Sequence, residues 1–348
     1  MPGLAVPLDA ALPRRAARWG GRLLQGLRKD RRDAPVILMY HRVAVPPWDP
    51  WGLAVPPARF REQLEFLKRH RTVVAMDELV AGLASGSLPP RATAITFDDG
   101  YADNALFAKP ILEELGVPAT FFLTTAFVRS GKRFWWDELA AKVLAGPAPA
   151  DFEFAGLTCG WPAQQRLPGD LAAWRVGQET ADPRRVAYGN LWRALQRMAE
   201  GEREAELERL ARLLGDQAPL AEDELGRPMS LEMVRASASD LIALGAHGRS
   251  HVPLTALPSA ARREELSLAR SEIAEWTDRT PPCGIAYPHG EHDAETRERA
   301  AAAGYRWAVT SRSARVDPRR SDALALPRLV PGRRSAGEVR LLLYAAAD

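Results

Sequence analysis

Three short stretches carry residue types that do chemistry at useful spacings. The first is Thr96-Phe97-Asp98-Asp99-Gly100. Neighbouring side chains of a strand point to opposite faces. Both carboxylates still reach one site if the chain turns there, and Gly100 permits the turn. Such a pair can divide its labour, one carboxylate binding a metal and the other acting as general base. It suits glycoside hydrolysis poorly, where the two carboxyls flank the sugar from about 5 Å apart or more. The second stretch is His247-Gly-Arg-Ser-His251. Histidines at i and i+4 can present both imidazoles on one side of a helical turn, a usual way for a short segment to supply two zinc ligands. With Asp99 they form a set of two His and one Asp that leaves coordination positions open, the catalytic pattern. The third is Ala286-Tyr-Pro-His-Gly-Glu-His-Asp293. Its Pro-His-Gly turn offers a backbone N–H as an oxyanion donor, an aromatic wall and an imidazole. Taken singly, each stretch also fits a plain turn or a pair of surface histidines. The chain has only six His, and two at ligand spacing beside Gly245 and Gly248 favour the chemical reading.

Such groups must be delivered by strands that end where the clusters begin. Apolar runs predict strands at Val36–Tyr40, Thr72–Ala75, Thr93–Phe97, Pro118–Leu123, Leu241–Ala246, Gly284–Tyr287 and Tyr305–Thr310. Helical spacing predicts Pro57–His70, a helix through Leu83 capped by Asp77, Asn104–Leu115 stopped by Gly116, Ser259–Trp276 and Ala294–Ala303. Tyr101, Asp103 and Asn104 read as the start of the helix after the Asp-Asp-Gly turn. Strand and helix alternate, which argues for parallel βα units in a barrel or a doubly wound sheet. In a barrel the site forms at the C-terminal strand ends, where all three clusters fall. The middle, about residues 131–229, shows no buried strand of the βα type. Arg184–Met198 and Glu202–Leu214 there read as an inserted helical hairpin.

Composition narrows the class. Of 348 residues, 46% are hydrophobic and 26% charged, which excludes a disordered chain, a collagen-like fibre and a membrane bundle. No apolar run approaches the ~20 residues of a membrane span. Lys+Arg is 47 against Asp+Glu 44, so the net charge of +3 and the lack of a basic patch argue against nucleic acid. Two distant cysteines, Cys159 and Cys283, make neither a zinc ribbon nor a disulfide framework. Residues 1–33 read as a basic helical extension ahead of a main unit at 34–348. Within it, residues 14–32 interleave arginines with Trp19, Leu23, Leu24 and Leu27. Peripheral contact with an anionic membrane is one reading. A solvated helix packed on the main unit is the other, and it is favoured. With no secretory signal visible, the expected location is the cytoplasm, with the inner membrane surface as a variant.

Together the clusters resemble the polysaccharide deacetylase family, carbohydrate esterase family 4, whose members share the homology domain of nodulation chitooligosaccharide deacetylases. The resemblance covers roughly Pro35 to Pro331 outside the insertion. Thr96 to Gly100 matches the family's Thr-Phe-Asp-Asp-Gly motif, and His247 and His251 match its His-x-x-x-His. Tyr287-Pro288-His289-Gly290 falls at its groove motif. Tyr40-His41-Arg42 resembles the opening strand of one branch, which also shares Gly116 to Phe122. The resemblance implies an α/β fold, a distorted (β/α)7 barrel of parallel strands. It implies one divalent metal, most often zinc, held by Asp99, His247 and His251. It implies hydrolysis of an acetyl group from a sugar, an oligosaccharide or a lipid-linked glycan in surface or exopolysaccharide metabolism. Asp98 then takes the proton from the attacking metal-bound water, and the backbone N–H of His289 helps hold the oxyanion.

The sequence departs from the family in three places. Ala286 stands where many members have the Arg that orients the base, so Arg328 or Arg249 must supply that charge. Gly248 replaces a Thr or Ser. The late Leu-x-His that provides the general acid is absent, leaving His289 as first substitute, with His41 and then His292 behind it. Tyr287, Pro288, His41 and Trp136 are the expected substrate-binding residues. Trp135-Trp136-Asp137 reads as core or loop anchor, or as a sugar-stacking wall. His70 reads as a surface residue. Two alternatives accompany this reading: an amidohydrolase of the same fold acting on a non-sugar amide, and a non-catalytic carbohydrate-binding relative.

Overall fold

The computed structural model describes residues 33–145, 152–154, 156–160, 173–214 and 226–345. The basic stretch 14–32 lies outside them. Nine strands occur among the described residues: β1 (Val36–Tyr40), β2 (Thr72–Val73), β3 (Ala92–Phe97), β4 (Ala119–Leu123), β5 (Phe152–Phe154), β6 (Leu157–Cys159), β7 (Ile242–Ala246), β8 (Gly284–Ala286) and β9 (Trp307–Val309). Seven form one parallel sheet in the order β1-β3-β4-β7-β8-β9, with β2 beside the start of β3. Strands β1, β3, β4, β8 and β9 are buried at every position. This explains their unbroken apolar runs, since a parallel sheet is covered on both faces.

The sheet curls, and the segment 326–329 spans from its last strand to its first. Leu326 bridges Val309 and Leu329 bridges Leu38, both in parallel. The Leu329 N–H donates to the Ile37 carbonyl at 2.8 Å, and the Thr310 N–H to the Leu326 carbonyl at 2.9 Å. The result is the distorted (β/α) barrel that the sequence predicts. Inside it pack Ile37, Phe122, Ala286, Trp307, Val309 and Leu326. Outside, the Tyr40, Phe60, Phe97 and Phe121 rings meet in succession at 5.1–5.3 Å.

The helices follow the local rules. Pro57–His70 starts on a proline, buries Phe60, Leu64 and Leu67, and ends in Lys68, Arg69 and an exposed His70. The segment from Asn104 opens with a π-helical turn and runs as α-helix to Leu115, where left-handed Gly116 stops it. One expectation fails. Asp77 does not cap its helix, which begins at Met76 after Ala75. Its carboxylate accepts from Trp307 Nε1 at 2.6 Å, a tertiary bond no local pattern announces. The described part of the middle also holds a short pair, β5 and β6, which form an antiparallel hairpin and are not strands of the βα type. Only three residues each, they are too short for periodicity to show. Neither joins the barrel sheet, and the helices Pro183–Gln196 and Glu200–Leu214 follow them. No described helix is long and apolar enough to cross a membrane.

One barrel contact tolerates no extra atom. A Cβ on Gly284 would lie 2.1 Å from the Trp307 ring, which covers this position from the neighbouring strand. Gly284→Ala is expected to cost about 1–3 kcal/mol through overpacking, read as a lowered urea midpoint at unchanged slope.

Candidate active site

The site is assembled by backbone ladders that run past the strand ends. The Asp98 N–H donates to the Tyr40 carbonyl at 3.0 Å, continuing β3 against β1. The His247 N–H donates to the Leu123 carbonyl at 2.8 Å, and the Tyr287 N–H to the Val309 carbonyl at 3.1 Å. The first residue beyond β3, β7 and β8 is therefore as fixed as the strand itself. Beyond these points the chain turns sharply. Five non-glycine residues among those described have positive φ, and three are Asp99 (72°), His251 (57°) and His289 (58°). Such backbone is costly for an L-residue and gathers at functional sites. At the first turn Gly100 is left-handed as well, and the Gly100 N–H donates to the Asp98 carbonyl at 2.9 Å. This turn sends Asp98 and Asp99 into one cavity instead of to opposite faces.

Asp99, His247 and His251 converge there, all buried. His247 Nε2 is 3.4 Å and His251 Nε2 3.3 Å from the same Asp99 oxygen, Oδ1. Two atoms each about 2.1 Å from one tetrahedral ion would be about 3.4 Å apart. The donor chemistry agrees. His247 Nδ1 lies 2.8 Å from the Ala286 carbonyl, which can only accept, so Nδ1 carries the hydrogen. In the neutral ring Nε2 then aims a lone pair at a carboxylate oxygen, an arrangement that calls for a cation between them. The charges point the same way. Burial pushes Asp99 up, but the His247 and His251 imidazoles beside it hold it well below the usual carboxylate range. Burial pushes His247 down, and Asp99 and Asp98 more than restore it, so it sits above its ordinary value. The residues present thus fit a divalent metal.

Asp98 stands beside this trio on a different partner. Its two oxygens accept from Arg328 Nη1 and Nη2, each at 2.6 Å, a bidentate pair buried on both sides. Arg328 donates also from Nη1 to Thr96 Oγ1 at 3.1 Å and from Nε to the Thr310 carbonyl at 2.8 Å. Burial pushes Asp98 up, and Arg328 with His247 outweighs it, leaving a carboxyl held ionised below its ordinary value. Of the two arginines suggested by sequence, Arg328 meets Asp98, while Arg249 faces Glu272 at 3.7 Å.

His41 Nε2 lies 4.0 Å from Asp98 Oδ2. The segment carrying it is clamped from the far side of the Asp-Asp-Gly turn. Asn104 donates to the His41 carbonyl at 2.8 Å, and Asp103 accepts from Arg42 Nε and the Val43 N–H. Asp103 and Asn104 thus do more than begin a helix. The His289 ring packs edge-on to His251 at 4.5 Å, and burial, then the neighbouring His251 and His247, hold it well below its ordinary pKa. The remaining expected residues divide. Trp136 lines the cavity, its ring 4.6 Å from His251, and its Nε1 donates to Tyr101 Oη, which donates to Asp137. Tyr287 lines the cavity, but its hydroxyl turns away to the Leu324 carbonyl. Pro288 is buried behind the wall, against Gly248, and not among the lining residues. The proline shapes the turn, and a Cβ on Gly248 would come within 3.3 Å of it. His292 is likewise not among the lining residues.

The cavity measures about 400 Å³. Sequence reasoning missed two of its walls, Trp51 and Trp192, whose rings meet at 4.2 Å. They come from the loop after β1 and from the inserted helix 183–196. Neither sits in a motif, and only the high tryptophan count, ten in all, gave a signal.

A family model described as polysaccharide deacetylase matches residues 85–148 and 221–308, on either side of the insertion. No curated protein matches the chain in sequence. Among solved structures, the deacetylase PplD of Streptococcus pyogenes, solved with acetate, is 16% identical with a TM-score of 0.58, covering 89% of this chain and 98% of that one. IcaB from Ammonifex degensii is 19% identical at 0.55, covering 90% and 97%. The polysaccharide deacetylase BA0330 of Bacillus anthracis, described as putative, is 14% identical at 0.55, covering 89% and 69%. At these identities the likeness is one of fold. The family match is in sequence, and it includes Asp98, Asp99, His247 and His251. The sequence match over these two stretches and the shared fold both point to the polysaccharide deacetylases, hydrolases acting on carbon–nitrogen bonds other than peptide bonds.

Arg328→Ala would leave Asp98 buried without its counter-charge. Removing one member of a buried pair costs about 3–5 kcal/mol. Urea denaturation is expected to show a loss of that order, and adding Asp98→Asn should recover part of it, because the orphaned charge is gone.

Proposed function

We propose that this chain is a metal-dependent deacetylase that removes the N-acetyl group of an acetylated sugar. One observation supports it above others: the Asp99, His247 and His251 donor set and the Arg328-held Asp98 share one buried cavity wall. Asp99, His247 and His251 would hold the metal, with zinc the ion best suited to two imidazoles and a carboxylate. Once bound, such an ion polarises an amide carbonyl and makes water a usable nucleophile near neutral pH.

The protein's own groups perform the rest. Asp98 stays ionised under Arg328 and accepts the proton released as water attacks the acetyl carbon. Arg328 fixes the direction of the carboxylate, the part Ala286 cannot play. The leaving amine then needs a proton. His41 is favoured for it over His289, the first substitute suggested by sequence. His41 lies on the Asp98 side with its side chain 17% exposed to the cavity mouth. His289 is half-buried and packs edge-on against His251, where burial and the neighbouring imidazoles hold its ring well below its ordinary pKa, so it does not readily hold the proton it would have to give.

Purified protein is expected to hold about one zinc-type ion per chain, and His251→Ala to lose it by elemental analysis. Asp98→Asn should keep the metal but release no acetate from N-acetylated glucosamine oligomers; full activity there would sink the proposal. His41→Gln is expected to lower kcat by about 10²–10⁴-fold with metal content kept. A smaller loss than in His289→Gln would return the acid role to His289.

A further inference from the structure

The segment between β4 and β7 reaches over the barrel mouth. Its helix Pro183–Gln196 is tied to loops on two sides. Toward the loop after β1, Trp51 Nε1 donates to Tyr188 Oη at 2.9 Å, and the Val176 N–H donates to the Pro50 carbonyl at 2.7 Å. Toward the loop after β8, Arg197 Nη2 meets Glu291 Oε1 at 3.3 Å. Tyr188, Trp192 and Gln196 recur every four residues, so one helix face carries all three. Trp192 and Gln196 line the same cavity as Asp98, His247 and His251.

Trp192 has two aromatic neighbours on that wall. Its ring is 4.2 Å from Trp51 and 5.8 Å from His289, which itself packs on His251. Both tryptophans remain only partly buried, whereas Trp135 and Trp136 beneath them are buried. Trp51 cannot rotate freely, because its N–H is engaged by Tyr188. The pair therefore presents a fixed, partly open indole surface that leads to the reacting groups. An apolar wall with a few placed polar groups is the usual make-up of a small-molecule site.

We propose that the inserted helix is the specificity element of this enzyme. A pyranose ring lays its apolar C–H face on the Trp51–Trp192 surface, where the electron-rich indole faces attract the ring's C–H hydrogens. The Gln196 amide, four residues along, reaches the hydroxyls at the rim of the sugar. The stacked sugar is thereby held with its acetamido group toward Asp98. The inference rests on the deacetylase reading above, and it adds the residues of the inserted helix that recognise the sugar through its ring.

Binding separates this inference from the reaction it rests on. In an Asp98→Asn background, calorimetric titration would use the N-acetylglucosamine pentamers with β-1,4 and β-1,6 links. Trp192→Leu is expected to weaken the better of them at least tenfold, and Trp192→Phe to restore part of it. Metal content and melting temperature should stay unchanged, which a merely structural tryptophan would not allow. With Asp98 intact, the loss should appear in KM more than in kcat. Unchanged affinity in Trp192→Leu, or a loss accompanied by loss of metal, would overturn the inference and leave the deacetylase reading standing. Trp192-dependent binding without acetate release would do the reverse. Failure of both pentamers to bind the parent protein would count against the inference as well.

Discussion

A carboxylate sunk in the top of a barrel needs a counter-charge, and for Asp98 it is Arg328. Both groups are buried, both oxygens are engaged at 2.6 Å, and every remaining contact of the guanidinium goes to strand ends. Arg328 sits in the segment that joins β9 to β1. The contact that keeps Asp98 ionised is thus also a contact that closes the barrel. Ion pairing in a dry interior is strong only when geometry is good and all lone pairs are met. Here the closing segment supplies that geometry, and the site inherits it.

The second constraint is the lone-pair conflict at Asp99. Two imidazoles converge on one carboxylate oxygen, with the orientation of His247 fixed by the Ala286 carbonyl. Left-handed backbone at Asp99 and His251 holds this arrangement against its own cost. The strain is concentrated where the ladders of β3 and β7 end, so rigid strands bear it instead of mobile loops.

These features were not equally legible in the sequence. Asp98, Asp99, His247 and His251 could be read because each pair is local, and a spacing of one or four residues maps directly onto geometry. The strands could be read because double burial makes them unbroken apolar runs. Arg328 could only be guessed, since its partner is 230 positions away and the pairing exists only after the sheet curls. Asp77 deceived for a related reason: its position suits a cap, but a distant indole claims it. The hairpin β5–β6 was too short to announce itself. Trp51 and Trp192 went unseen because half-buried tryptophans on a loop and a helix have no pattern until the two elements meet.

The position of Arg328 also sets an order in time. As the chain is read from its N-terminus, Asp98 and Asp99 are present by residue 99 and the second histidine of the buried cluster by residue 251. The counter-charge arrives only at 328, with the strip of backbone that seals the seam. A chain clipped or still being synthesised short of that point would possess every donor atom yet keep an orphaned carboxylate in an open barrel. The Asp98–Arg328 pair thus exists only once the seam does, and the charge balance of the site depends on closure of the barrel.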